Sequence, residues 1–365
     1  MTVAPGSVAR AGDPPRDVAS GSRRVLGRTG VSVSPLCLGG MNFGAWANTD
    51  HEDCTRIVHA ALDAGINFIE TADVYSAGES EEIIGKAIAG RRDDVVLATK
   101  FASPMGEDPN RRGASRRWIM TAVDDSLRRL RTDWIDLYQM HRPDPHTDLD
   151  ETLAALTDLV RAGKIRYFGS STCAPHQVVE AQWVSERHGL GRFVTEQPPY
   201  SLLVRKAEAE LLPVCAQLGL GVLSWSPLAG GWLSGTFHER DDDADDEARA
   251  NRARRMPDRF DRTQPANQRK LDAVSALADL ADEIGTTLPK LAVAFVLRHP
   301  AVTSAIVGPR SVEQVLSLAD VPSLTLDDAT LDRIDEIVPP GATVNPADDD
   351  HLQPIGLRDK GTRRR

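Results

Sequence analysis

Cysteine is scarce in this chain and forms no pattern. Cys37, Cys54, Cys173 and Cys215 lie far apart, with no CxxC pair among them. Their spacing predicts reduced, buried thiols in a cytoplasmic protein. Long apolar runs are also lacking: none approaches the ~20 residues that span a bilayer. Met1–Arg24 carries arginines but no apolar centre, so it does not read as a secretory signal. Basic charge is in deficit, with 43 Lys and Arg against 53 Asp and Glu for a net charge of −10. That balance argues against a protein that coats nucleic acid and leaves only a local basic site open. With 28 glycines and 23 prolines in 365 residues, the chain is neither fibrous nor of low complexity.

Several chemical signatures are missing. No GxGxxG follows an apolar run. The segment 78–86, GESEEIIGK, has six residues between its glycines where a phosphate-binding loop has four. His51-Glu52 has no second histidine at 55, the nine histidines show no ligand spacing, and there is no GxSxG. These absences predict a protein without a metal centre.

What is present is a rhythm. Short apolar runs recur at 36–39, 66–70, 95–100, 134–139, 165–169, 193–197, 221–225 and 303–307. Most are rich in β-branched or aromatic residues, as buried parallel strands are. Amphipathic segments separate them. Trp118, Ile119, Ala122, Val123, Ser126, Leu127 and Leu130 share one face of a 3.6-residue period. Thr49–Glu52 and Ser311–Gln314 have capping-box spacing, Pro175 stands at a first helical turn, and Gly65 and Gly163 stand where helices end. Eight such units predict an α/β fold, a (β/α)8 TIM barrel, with an open doubly wound sheet as the alternative.

Residues 1–22 read as a disordered N-terminal tail, 23–338 as the barrel and 339–365 as a flexible C-terminal tail. Residues 23–35 read as an N-terminal β-hairpin on the barrel floor. A long loop after strand 7, about 230–267, contains DDDADDE and then RARR and lies on the C-terminal face, where barrel active sites sit.

Ionisable residues gather at the ends of strands two to four of this barrel: Glu70, then Asp73 and Tyr75 in the following loop, Lys100, and His141. Adjacent strands are ~4.8 Å apart, so these side chains meet over one mouth. The set suits proton donation to a carbonyl oxygen. An ammonium lowers a tyrosine pKa, a carboxylate holds the ammonium, and a neutral imidazole orients the substrate oxygen. No residue in the set is a hydride donor, so a reduction calls for a cofactor.

The motifs INFIETADVYSAGESEEIIGKAI, VVLATK, DWIDLYQMHRPD, GKIRYFGSST, EQPPYSLL, WSPLAGGWLSG and IVGPRSVEQ together resemble the aldo-keto reductase superfamily over roughly residues 23–338. The resemblance implies Tyr75 as general acid, Lys100 as its partner and His141 as the orienting imidazole. It places Glu70 where the family has Asp, one methylene longer, and leaves Asp73 as a cap or loop residue.

By the same resemblance, Gly40 and Met41 touch the nicotinamide end of NADP, and Ser171 and Thr172 stand where the family has Ser-Asn on the carboxamide. Gln197 holds the carboxamide's other side, and Trp225 stacks on the ring. Ser226, Leu228 and Gly230 follow the pyrophosphate. Gly308, Arg310 and Gln314 receive the 2′-phosphate, where Arg310 supplies a charge near a helix start and favours NADP over NAD. Leu318 replaces the family's Asn near the adenine.

The implied activity is reduction of a small aldehyde or ketone to an alcohol. Two alternatives stay open: a redox-sensing regulatory subunit of a membrane channel that binds the nucleotide tightly, and a Schiff-base aldolase using Lys100. The substrate and the oligomeric state are not legible.

Overall fold

The computed structural model of the chain describes residues 23–235, 253–254 and 256–349. The tail expected over 1–22, the acidic run 241–247 and residues 350–365 lie outside the described residues.

All eight apolar runs are strands. After a hairpin of β1 (Arg24–Val25) and β2 (Ser32–Val33) come β3 (Leu36–Gly39), β4 (Phe68–Glu70), β5 (Val96–Phe101), β6 (Ile135–Met140), β7 (Ile165–Ser171), β8 (Thr195–Gln197), β9 (Gly221–Ser224) and β10 (Val302–Val307). The strands β3 to β10 pair in parallel, each with the next, and β10 returns to β3. Closure excludes the doubly wound alternative. Helices alternate with them: α1 (His51–Asp63), α2 (Glu79–Ala87), α3 (Arg116–Leu130), α4 (Leu149–Arg161), α5 (Pro175–His188), α6 (Leu211–Leu218), α7 (Pro257–Phe260), α8 (Pro265–Glu283), α9 (Leu288–Arg298), α10 (Val312–Leu318) and α11 (Asp328–Ile337). No helix among the described residues is long and apolar enough to cross a membrane.

Strand side chains alternate between two cores. Cys37, Phe68, Ala98, Leu137, Leu223 and Ile306 fill the barrel interior, and Leu26 and Val33 of the hairpin seal it from below. Arg24 ties the hairpin down through bonds from Nη1 to Val302 O (2.8 Å) and from Nη2 to Leu297 O (3.0 Å). The hairpin approaches so closely at Gly27, where φ is +55°, that an added Cβ would stand 2.5 Å from Val194 O. Only glycine fits there. The outward strand faces pack under the helices; Trp118, Ile119, Ala122, Val123, Ser126 and Leu130 of α3 are buried as their period requires. All four cysteines are buried and free.

Helix ends follow the expected chemistry with one shift. Asp50, not Thr49, caps α1, accepting from the backbone N–H of Glu52 and Asp53. Ser311 caps α10 as expected, and Pro175 opens α5. The long loop after β9 is interrupted by α7, and α8 begins at Pro265, inside the interval read as irregular.

The chain after Pro339, expected to be flexible, packs through Asp349. Val344 N–H bonds Leu203 O at 3.0 Å, and Asn345 Nδ2 bonds Asp258 O (2.8 Å) and Asn267 Oδ1 (2.7 Å). Asp348 is 5% exposed and bridges Lys270 Nζ (2.8 Å) and Arg259 Nε (2.9 Å). Lys270 is fully buried, and its ammonium lies 4.4 Å from the centroid of Trp232. A buried ammonium is retained only when paired and hydrogen-bonded. Asp348→Ala therefore costs about 3–5 kcal/mol, because it strands that charge. Lys270→Met combined with Asp348→Leu costs much less. Denaturant unfolding of the two variants checks this, and equal losses would remove the ion pair as the cause.

Candidate active site

Barrel register brings the ionisable residues together. Glu70, the last residue of β4, is paired with Gly39 on one side and Ala98 on the other. Lys100 stands two residues beyond Ala98, so its side chain rises one pleat above Glu70 and points into the barrel mouth. Its ammonium bonds a Glu70 carboxylate oxygen, Thr71 O at 3.0 Å and the Tyr75 hydroxyl at 3.0 Å. Lys100 is fully buried, Glu70 is 3% exposed and Tyr75 is 8% exposed. The added methylene of Glu70 is accommodated because β3 ends in Gly39, where a Cβ would stand 3.3 Å from Glu70 Oε1.

Tyr75 is held by a strained turn. Ser76 and Ala77, just after it, have φ of 49° and 56°, in the left-handed region that non-glycine residues avoid. The loop after β3 holds them there. Ser76 Oγ donates to Phe43 O (3.1 Å) and accepts from Trp46 N–H (3.1 Å). This loop sets the half-exposed Trp46 ring 5.8 Å from the Tyr75 ring. His141 follows β6, its N–H bonded to Phe101 O at 2.9 Å. Its ring meets Tyr75 edge-on, with centroids 5.8 Å apart. Its Nδ1 lies 3.2 Å from Ser103 Oγ.

The charges differ from the sequence expectation in one respect. Lys100 pulls the Tyr75 pKa down as expected, but burial and the Glu70 carboxylate outweigh it, and the phenol stays above its usual range. Burial opposes charging Lys100; Glu70 and Tyr75 overcome that and hold it a cation. Burial, then Lys100 and Arg142, push His141 well below the usual histidine value and keep it neutral. Asp73 is not a cap. It is 1% exposed, neither carboxylate oxygen has a hydrogen-bond partner, and burial followed by Glu81 drives its pKa well up. Glu81, fully buried, accepts instead from Thr99 Oγ1 and Arg129 Nε, both at 2.6 Å.

The remaining predicted residues form an arc over the other five strands, β7 through β10 to β3. Ser171 Oγ donates to Gln197 O at 2.9 Å, and Thr172 N–H reaches the same carbonyl at 3.2 Å. Gln197 Nε2 is buried with no hydrogen-bond partner. Trp225, half-buried, bridges Pro199. Ser226 Oγ accepts from Gly230 N–H at 3.0 Å, and Leu228 O accepts from Gly231 N–H at 2.9 Å, which folds this segment into a tight turn. Gly308 O accepts from Asn42 Nδ2 at 2.8 Å, joining β10 to the loop that carries buried Gly40 and exposed Met41. Arg310 and Gln314 are exposed, with Arg310 N–H bonded to Gln314 Oε1 at 2.7 Å. Leu318 is 6% exposed and packs in the core. Ser103 and Arg142 were not singled out from the sequence. The one available signal was Arg142's place directly after His141 at a strand end.

Among the described residues no group of three or more His, Cys, Asp or Glu is arranged to hold a metal. The arrangement can hold a polar planar group against Gln197 and give a proton from Tyr75 to an oxygen beside His141.

Because the folded His141 pKa lies below the unfolded ~6.5, the unfolded chain takes up a proton first as pH falls. The contribution of neutral His141 is complete above about pH 6.5 and declines below it, by at most ~1.4 kcal/mol per pH unit. His299, also shifted down by burial, acts in the same sense. His141→Gln therefore flattens the loss of stability between pH 7.5 and 5.5 without abolishing it. Denaturant unfolding at the two pH values measures this, and an unchanged slope would show that His141 is charged in the fold.

The sequence model of the Aldo/keto reductase family matches residues 35–339. The chain is 43% identical to the uncharacterized oxidoreductase YrpG of Bacillus subtilis, over 86% of this chain and 95% of that protein. It is 36% identical to the aldo-keto reductase YhdN of Bacillus subtilis, over 82% and 88%. A probable voltage-gated potassium channel subunit beta of Oryza sativa subsp. japonica is 35% identical, over 86% and 95%.

Proposed function

The chain belongs to the aldo/keto reductase family, whose members are oxidoreductases acting on small carbonyl compounds with NAD(P)H, and from that premise we propose that it reduces an aldehyde or ketone to an alcohol using NADPH, with Tyr75 as the proton donor. The observation that carries this reading is the buried contact of Lys100 with both Glu70 and the Tyr75 hydroxyl, beside a neutral His141.

A reduced nicotinamide, when bound, supplies the two-electron reductant to the carbonyl carbon. The residues fit such a group: the unpartnered amide of Gln197 lies beside Ser171 and Thr172, a donor and acceptor set for a carboxamide. The half-buried indole of Trp225 offers the face for a ring, and exposed Arg310 suits a 2′-phosphate. Tyr75 gives its proton to the carbonyl oxygen, and the Lys100 ammonium, fixed by Glu70, stabilises the phenolate left behind. Ser103, donating to Nδ1, leaves the His141 proton on Nε2, where it orients the same oxygen.

Both alternatives are disfavoured by the same geometry. A Schiff-base lysine must be a free amine, and Lys100 is held charged by Glu70. The relatives named as channel subunits suggest a regulatory nucleotide binder, but the complete Tyr75, Lys100 and His141 group supports turnover.

Titration with NADPH and NADH, followed by tryptophan fluorescence and then by carbonyl-dependent NADPH oxidation, tests the proposal. Binding without oxidation across a broad carbonyl panel favours the regulatory reading. Tyr75→Phe lowers carbonyl reduction roughly 100- to 10,000-fold with nucleotide affinity nearly unchanged. Undiminished turnover would remove Tyr75 from the reaction. Arg310→Ala weakens NADPH about tenfold or more and NADH little, as loss of a charge-assisted hydrogen bond requires; equal weakening would show that Arg310 does not read the phosphate.

A further inference from the structure

Thr172 ends the run after β7 with a φ of +59°. For a β-branched residue that is a strained conformation, and it persists only where neighbours hold it. Thr172 is 3% exposed, and its neighbours are few. Its N–H bonds Gln197 O at 3.2 Å, and its hydroxyl lies 3.2 Å from Ser171 Oγ. The third contact is a cation: Arg142 Nη1 donates to Thr172 Oγ1, and the same nitrogen bonds His141 O at 2.8 Å.

A hydroxyl carries one proton and two lone pairs. A guanidinium can only donate, so it occupies a lone pair and leaves the Thr172 proton to point elsewhere. Ser171 gives its own proton to Gln197 O, so the two hydroxyls do not compete for that acceptor. Gln197 Nε2, buried and without a partner, is a second donor on the same part of the mouth. The cradle thus presents donors to a planar ligand with a carbonyl oxygen. Arg142 is anchored on the backbone of His141, so it fixes this cradle relative to the imidazole beside Tyr75.

We propose that Arg142 is a positioning residue for the nicotinamide carboxamide, acting through Thr172: it holds Thr172 in its left-handed conformation and sets the hydroxyl as a hydrogen-bond donor to the ligand. The proposal rests on the nicotinamide reading above.

The test uses the full chain and two probes, NADP+ and adenosine 2′,5′-bisphosphate, which lacks the nicotinamide. Arg142→Met weakens NADP+ about 10- to 100-fold, the loss expected of a hydrogen bond to a charged group, and leaves the bisphosphate unchanged. Thr172→Val weakens NADP+ similarly, and the double variant Arg142→Met/Thr172→Val is no weaker than either single change. Asn tolerates the left-handed region and brings its own amide donor, so Thr172→Asn makes Arg142→Met nearly harmless. That rescue variant also keeps the test decisive if Arg142→Met alone folds poorly.

Unchanged NADP+ affinity in Arg142→Met, equal loss of both probes, or losses that multiply in the double variant would each overturn the role of Arg142 and leave the nucleotide reading standing. Failure of the unaltered chain to bind NADP+ or NADPH would overturn both.

Discussion

One buried ammonium organises the mouth of this barrel. Lys100 is fully enclosed, and burying an isolated ammonium costs several kcal/mol. The cost is met by three contacts, with Glu70, Thr71 O and the Tyr75 hydroxyl. Each of them constrains something else. Glu70 must reach from the end of β4, so β3 must end in a residue without a side chain beside it. Thr71 O must point inward, which commits the chain leaving β4. Tyr75 must return its hydroxyl to the ammonium, so the turn after it adopts two consecutive left-handed residues. That turn is in turn pinned by the loop after β3 through Ser76. Strain at the turn and burial of the charge are two parts of one arrangement.

The eight strands divide the mouth unequally. Three neighbouring strands, β4 to β6, bring the titratable side chains, and the other five bring backbone turns, hydroxyls, an amide and an indole. Charge concentrated on one sector polarises an oxygen there, while the uncharged sector suits a large planar ligand. Arg142 and Thr172 span the seam between β6 and β7, where the two sectors meet. A cation at this seam also lowers the Tyr75 pKa, though less than Lys100 does.

The barrel was legible because its signals are local. Each strand is a short apolar run, each helix a 3.6-residue stripe, and each boundary carries a cap, proline or glycine within a residue or two of its place. Even the one-residue shift from Thr49 to Asp50 exchanges one capping oxygen for another. The titratable cluster was legible because parallel strands align their ends. What escaped depends on contacts remote in sequence or on burial. Nothing near Asp348 announces that it pairs with Lys270, 78 residues earlier. The surrounding sequence, NPADDD, has the composition of a tail. The net pKa of Tyr75 was misjudged for a related reason: the ammonium is visible in the sequence, but the depth at which phenol and carboxylate sit together is not.

The packed C-terminal segment bears on the site as well as on stability. Asp348 and Arg259 line a small cavity together with Tyr200, Trp225 and Ser226. One wall of the proposed nicotinamide face is therefore backed by an ion pair between the chain's last described turn and the returning arm of the long loop. Lys270 joins the same carboxylate while also bonding Arg259 O at 2.7 Å, so the carboxylate and both cations form one unit. Trp232 and Phe260 stack across 6.4 Å beneath that ammonium and close the unit from the loop's outgoing side. A segment with no periodicity and an acidic composition is thus held in place by buried charge, the same physics that fixes Lys100. The outgoing and returning arms of the long loop are joined there, behind the indole and not across the mouth.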